Sequence, residues 1–341
     1  YTYADFFLNK DVIFYGKKLL SELRVKKNND KESIAYLGQN FIELKETLGI
    51  KKATDIYKNQ GRMSFYPLNS LITVLKNINP DIVITTNAPR SEKAAINAAS
   101  VLGISSVAIG DLFMIRPLDW FKNNAFASTI CVLNNQSKNK LISVGRKEES
   151  IKVTGNPAFD SYIKMSKTNN RVIDRKLGVL WASQPEPKYF PETNLYGDTS
   201  LPIKIEKELL ELNEKHDFIK LFVRNHPNEK TRSYPKNVLL CNKEKLLSVL
   251  NKIDVVVTAT SIVGFEAVLL GKRLITINLS VLSPMLPYSE YGYSNGLKQI
   301  GDLENALFKI HNEKNKLTKK PYNISDATGN VCREVIKLLE C

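Results

Sequence analysis

Short β-branched runs that end in small or polar residues and give way to helix-spaced apolar positions recur through most of this 341-residue chain. That alternation restricts it to α/β folds built on parallel sheets. Residues 81–85 follow Pro80 as the first clear strand, and residues 91–102 read as an alanine-rich helix closed by Gly103. Strands over 105–109, 128–133 and 151–154, with a helix over 136–143 between the last two, complete a first set. A polar, basic stretch from Lys164 to Lys176 then marks a domain boundary. Beyond it the pattern restarts, with strands at 178–182, 219–223, 238–241, 253–258 and 273–277 and helices at 203–214, 243–250 and 261–270. Helices over 303–312 and 325–339 close the chain. The expected architecture is two doubly wound, Rossmann-like domains facing a central cleft, over residues 1–165 and 166–322. Residues 323–341 are expected to form a helix that packs back on the first domain.

Composition removes several other classes. An apolar fraction of 43% and a charged fraction of 25% are those of a globular chain and too apolar for disorder. No uncharged apolar run is long enough to span a bilayer; the nearest, Ala94 to Gly110, contains Asn97 and is broken by Gly103. Cys131, Cys241, Cys332 and Cys341 are widely spaced, which argues against a disulfide framework or a structural zinc site and fits a reducing cytoplasm. The opening segment carries Asp5 and lacks a signal peptide's basic and apolar regions, and the start at Tyr1 suggests trimming upstream. With 49 Lys and Arg against 35 Asp and Glu, the net charge of +14 favours an anionic partner: a nucleotide-sugar, a phospholipid surface or nucleic acid. Stretches such as Lys17 to Lys31 and His311 to Lys320 read equally as solvated surface.

The segment from Ile253 to Gly271 is the most informative. A buried strand ends at Thr258 and the next helix is expected near Thr260 and Ser261, so free N–H groups and two hydroxyls leave the carboxyl edge of the sheet as a phosphate cradle. Glu266 lies about one and a half turns into that helix, within reach of a ribose diol; the simpler reading has Ser261 as a cap and Glu266 facing solvent. Arg224, Asn225 and His226 follow another strand, and Pro227 keeps the chain from continuing as strand or helix. The chain has three histidines, and His216 and His311 lie in polar helical ends and read as surface residues. Asp111 ends the strand at 105–109, where a carboxylate is placed to take a proton from an acceptor hydroxyl. Thr85, Thr86, Asn87, Arg90 and Glu92 follow the preceding strand as acceptor-side candidates. Gln184 opens a rigid Pro185 and Pro187 turn, and an aromatic, proline-rich loop runs from Ser283 to Gly292. P-loop, G-x-G-x-x-G and D-x-D patterns are absent, so a nucleotide site here is built without them and neither metal nor cofactor is expected.

Three segments, Val153 to Asp160, Asn225 to Asn228, and Thr260 to Lys272 with Gly264, Glu266, Ala267 and Gly271, resemble the two-domain GT-B superfamily. That group holds glycosyltransferases, non-hydrolysing nucleotide-sugar 2-epimerases and CDP-glycerol transferases, and the resemblance covers about residues 80 to 280. Within it, a His-Pro motif with a downstream Ser/Thr pair resembles bacterial transferases of CMP-activated sialic acid and Kdo. This implies that His226, Thr260 and Ser261 hold the donor phosphate and that Asp111 is the base, although Ile109 to Leu112 departs from their acidic-acidic-Gly motif. The epimerases share the Gly155 to Pro157 turn and the Glu266-bearing helix. Their His-Gly-Asp segment is replaced here by Thr85 to Pro89, and their His-Arg loop by Trp181 to Glu186.

The expectation is therefore an inverting, metal-independent glycosyltransferase, with Asp111 and His226 catalytic and Arg224, Asn225, Thr260, Ser261, Glu266 and Gln184 on the nucleotide. The donor is expected to be CMP-linked and the acceptor a glycan or lipid-linked glycan of capsule or lipopolysaccharide, at the cytoplasmic face of the membrane. A 2-epimerase of the same fold is the alternative. A non-catalytic nucleic-acid binder rests on Phe6, Phe7, Phe14 and Tyr15 near Lys10, Lys17 and Lys18 and lacks any recognised nucleic-acid motif.

Overall fold

The computed structural model describes residues 2–22, 31–114, 120–166, 176–191, 194–229, 232–313 and 324–340. The chain forms two units: Tyr1–Asn156 with Thr328–Cys341, and Pro157–Ala327. The Lys164 to Lys176 stretch read as a boundary falls largely outside the described residues.

The first unit opens with helices α1 (Tyr3–Phe7), α2 (Lys10–Glu22), α3 (Lys31–Leu48), α4 (Ile50–Gln60) and α5 (Leu68–Ile78). Leu19, Leu37, Phe41, Ala53, Tyr57 and Phe65 form their shared core, with Tyr15 against Phe41 at a ring separation of 5.3 Å. Of the four aromatics in the pattern proposed for nucleic acid, Tyr15 packs against this core, while Phe14 stays exposed. Helices α2 and α3 cross at Gly16 and Gly38. A Cβ on Gly16 would lie 2.1 Å from the Ile34 carbonyl oxygen and one on Gly38 2.0 Å from that of Val12, so only glycine permits this approach. Buried Glu43 fixes the start of α5 by accepting from the Asn69 and Ser70 N–H groups at 2.7 and 3.0 Å.

Strands β1 (Ile82–Thr86), β2 (Ser105–Ile109), β3 (Thr129–Val132) and β4 (Ile151–Val153) follow, with α6 (Ser91–Leu102) and α7 (Asn135–Ser143) between them. They pair in parallel in sequence order, β1-β2-β3-β4. The register Thr86↔Ile109 puts the residues after β1 and β2 side by side at one edge. The buried Arg146 guanidinium donates to the carbonyls of Phe126 and Ala127, both at 2.6 Å, which ties down the loop entering β3; burial pulls its pKa to about 10.

The second unit contains α8 (Asp160–Ser166), β5 (Leu177–Ala182), the hairpin β6 (Tyr189–Phe190) and β7 (Leu195–Tyr196), α9 (Leu201–Lys215), β8 (Ile219–Arg224) and β9 (Leu239–Leu240). It continues through α10 (Leu246–Lys252), β10 (Val255–Thr258), α11 (Val263–Leu269), β11 (Arg273–Ile277), β12 (Asn295–Leu297) and α12 (Leu303–Asn312). Every residue of β5 and β10 is buried, the pattern of parallel strands covered on both faces. On α9, Leu201, Ile205, Leu209 and Leu212 form the apolar stripe against the sheet.

The strand order β12-β11-β10-β5-β8-β9 is that of a doubly wound sheet. The chain moves outward from β5 through β8 to β9, then returns to the other side of β5 at β10. The reversal lies between β5 and β10, and ligands of open α/β sheets bind at the carboxyl ends of the strands at such a point. Helix α13 (Ala327–Leu339) carries the chain back into the first unit, where Val331 packs with Val107 and Cys131.

Candidate functional site

In the second unit the turns after β5, β8 and β10 share one edge and bring together seven of the expected site residues: Gln184, Arg224, Asn225, His226, Thr260, Ser261 and Glu266. Buried Thr258 ties the reversal together, donating to the Ala182 carbonyl at 2.8 Å and accepting from the Ser261 N–H at 3.0 Å. The turn that starts at Gln184 is anchored by Glu186, which accepts from Ser280 Oγ at 2.6 Å and the Val281 N–H at 2.8 Å. Tyr288, in the aromatic loop after β11, donates to the Ser261 carbonyl at 3.3 Å. The turn at Gln184 and the aromatic loop thus brace the edge.

The helix expected to start near Thr260 begins at Val263 and is 7 residues long. So short a helix has little macrodipole to offer a phosphate. Ser261 Oγ accepts from the Val263 N–H at 3.4 Å, but the N-cap position itself is taken by Ile262. Thr260 is buried beside Ser261.

After β8, the Arg224 guanidinium donates to the carbonyls of Cys241 and Glu244 at 2.8 and 3.0 Å, so it braces the turn from behind. His226 Nδ1 accepts from the Asn228 N–H at 3.2 Å, which puts the proton of the neutral ring on Nε2. Glu229 holds this turn by accepting from the His226 N–H at 2.9 Å and from Ser183 Oγ at 3.0 Å. Arg232 joins Glu229 to Glu206, with Glu206 as the closer partner at 2.6 Å. Glu206, buried beneath the edge, also accepts from Trp181 Nε1 at 3.1 Å and Tyr234 Oη at 3.2 Å. Tyr234 Oη lies 3.0 Å from Asn225 Oδ1 as well, and its single proton serves one acceptor at a time.

Among the described residues, Nδ2 of Asn225 and Oε2 of Glu266 at this edge are buried without a hydrogen-bond partner, as is Ser283 Oγ in the aromatic loop. Native proteins rarely leave such groups unpaired, and ligand sites are where exceptions concentrate. Glu266 Oε1 accepts from Tyr162 Oη at 2.8 Å. Burial pushes the Glu266 carboxyl above its ordinary range, opposed by the Tyr162 hydrogen bond and the Arg224 charge.

The remaining candidates lie in the first unit, at the carboxyl edge of β1 and β2. Thr86 Oγ1 donates to Glu92, Asn87 is buried, and Arg90 reaches Tyr36 Oη at 3.5 Å. Asp111 is half-buried, one residue past Gly110, whose N–H is held by the Cys131 carbonyl at 2.7 Å. No cluster of His, Cys, Asp or Glu among the described residues has metal-binding geometry. A cleft of about 590 Å³ between α7, β4 and α13 is lined by none of the candidates. Its Lys138 and Lys337 are already paired with Glu148 and Glu334.

The sequence reading missed Tyr162, Glu206, Glu229, Arg232 and Tyr234. Apart from the His226–Glu229 and Glu229–Arg232 contacts, each three residues apart, their partners lie on other elements, so no local spacing announces them. It also placed His216 and His311 at the surface. Instead their rings flank Phe218, at 5.4 and 4.5 Å, and His216 Nε2 meets Glu304 at 2.6 Å.

Neither a protein-family model nor a curated protein matches the sequence. Solved structures do match in three dimensions. UDP-GlcNAc 2-epimerase from Neisseria meningitidis, bound to UDP-GlcNAc, aligns over 79% of this chain and 80% of its own, at a TM-score of 0.58 and 17% identity. The Methanocaldococcus jannaschii UDP-GlcNAc 2-epimerase aligns over 79% and 80%, at 0.57 and 19% identity. MnaA from S. aureus, solved with UDP, aligns over 84% and 82%, at 0.59 and 14% identity. These likenesses show the fold, a GT-B-type pair of Rossmann-like domains.

Proposed function

We propose that this chain is an enzyme of nucleotide-linked sugars that grips the nucleotide at the β5–β10 reversal. The observation that carries this reading is the pair of buried, unpartnered polar atoms on Asn225 and Glu266. Glu266 Oε2 accepts from ribose hydroxyls, while Asn225, Thr260 and the Nε2–H of His226 face the phosphates. A ligand oxygen that satisfies a buried donor removes a desolvation penalty of about 1 to 3 kcal/mol. The solved proteins of like fold that carry UDP or UDP-GlcNAc support a uridine nucleotide over the CMP expected from sequence.

Two reactions fit this grip. Epimerisation at C2 is the reading supported by the 2-epimerase fold. Inverting glycosyl transfer, with Asp111 as base and a glycan or lipid-linked glycan as acceptor, is supported by two replaced segments. Thr85 to Pro89 stands where an epimerase His-Gly-Asp is expected, and Trp181 to Glu186 stands in place of its His-Arg loop. For a lipid-linked acceptor, a docking face is at hand on α2. Lys10, Phe14, Lys17 and Lys18 share its exposed side, with Phe14 63% exposed, and this face fits an anionic bilayer.

Incubation with UDP-GlcNAc in D₂O separates the reactions. Epimerisation places deuterium at C2 and yields the manno-configured sugar. Transfer leaves C2 protonated and releases UDP faster when acceptor glycan is added. Absence of binding to UDP, CMP and their sugar conjugates refutes both.

A further inference from the structure

Glu266 is held from outside its own helix. Phe159, the residue before α8, packs on Phe265 of α11, the rings 5.2 Å apart and inclined at 65°. Asp160, the first residue of α8, accepts from the Ala327 N–H at 2.9 Å, a second tie on the same end of the helix. Two residues further along, Tyr162 Oη donates to Glu266 Oε1 at 2.8 Å. The terminal torsion of a glutamate is broad and nearly two-fold, so an untethered carboxylate presents either oxygen to a ligand. The Tyr162 bond removes that freedom: Oε1 is occupied, and Oε2 is the oxygen left buried without a partner.

We infer that Tyr162 is a positioning residue for recognition of a ribose diol, orienting Glu266 so that Oε2 accepts the ligand's hydroxyl protons. The inference rests on the nucleotide reading given above. Because the carboxylate is already oriented before binding, its ordering does not oppose association. Because Tyr162 acts through Glu266, its removal is expected to weaken the hydroxyl contacts and to spare those of base and phosphate.

The test is a two-by-two comparison by titration calorimetry on the full chain: wild type and Tyr162→Phe, each with UDP and with 2′,3′-dideoxy-UDP. Wild type is expected to prefer UDP by roughly tenfold or more, the worth of one charge-assisted hydrogen bond. Tyr162→Phe should reduce that preference by about fivefold, through loss of UDP affinity, with dideoxy-UDP affinity changed less than about twofold. A merely structural role would weaken both ligands equally and leave the preference intact, and that result overturns the inference. Glu266→Gln supplies the reference, because it should cut the preference to that of a neutral hydrogen bond in either tyrosine background. If wild type binds neither ligand, the nucleotide reading itself fails; if it binds UDP with a preference that Tyr162→Phe does not alter, only the role of Tyr162 fails.

Discussion

Replacing Glu266 by glutamine separates ligand recognition from folding. The variant keeps an acceptor for Tyr162 and the shape of the side chain, and it exchanges one buried unpartnered oxygen for an amide N–H. Stability without ligand should therefore change by less than about 1 kcal/mol. Binding should not be spared. A hydrogen bond to a charged acceptor contributes about 1.5 to 3 kcal/mol and a neutral one about 0.5 to 1.5. The loss is then about 1 to 1.5 kcal/mol per ribose hydroxyl, or roughly tenfold for one and a hundredfold for two. The pH dependence gives a second signature. Burial holds the carboxyl above its ordinary value, so it takes up a proton at a pH where an exposed glutamate is still ionised. Wild-type affinity for UDP should fall as the pH drops through that raised value, and the variant should lack this fall. The same shift makes the folded wild type bind its proton more tightly than the unfolded chain. This group's contribution to stability therefore declines as the pH rises from the ordinary value to the raised one. Calorimetric titration with UDP at several pH values, with melting curves of the free proteins, reads all of this. An unchanged affinity and an unchanged pH profile in Glu266→Gln would refute the assignment.

Three further perturbations address other parts of the structure. Helix propensity alone predicts that Gly16→Ala stabilises the protein by about 1 kcal/mol; the 2.1 Å approach to the Ile34 carbonyl predicts instead a loss of about 1 to 3 kcal/mol. Denaturant melts decide the sign, and a gain would refute the close crossing of α2 and α3. Asp111→Asn should lower turnover by about 10² to 10⁴ while nucleotide affinity stays within about twofold, and a turnover equal to wild type removes Asp111 as base. Phe14→Asp should reduce co-sedimentation with vesicles rich in phosphatidylserine, because each lysine near such a surface contributes about 1 kcal/mol and the aromatic ring adds apolar burial. Equal binding of wild type to neutral and anionic vesicles would eliminate the docking face.

The βα alternation was legible because buried parallel strands read as continuous apolar runs. The strands expected at 219–223 and 253–258 fall within a residue or two of β8 (Ile219–Arg224) and β10 (Val255–Thr258). Helix starts were less legible: Ser261 looks like the opening of α11, yet a bend through Ile262 precedes the first helical residue. The amino-terminal helices were not foreseen, because their lysine- and asparagine-rich faces dominate the local composition. The apolar positions that join α2 to α3 meet through Gly16 and Gly38, residues that normally argue against a helix. At the site, the residue types expected at the strand ends were found there, since position on a parallel sheet follows from the strand pattern. What holds them was not, because Tyr162 lies 104 residues from Glu266 and Trp181 25 residues from Glu206. Contacts at such separations follow from the folded chain and leave no spacing in the sequence.

A crystal structure of the protein soaked with UDP tests the central claim most directly. The account predicts nucleotide at the carboxyl ends of β5 and β10, with a ribose hydroxyl in hydrogen-bond contact with Glu266 Oε2 and a ligand oxygen meeting the side-chain amide of Asn225. Nucleotide bound elsewhere, such as in the cleft beside α13, with Glu266 and Asn225 as unpartnered as before, would contradict it.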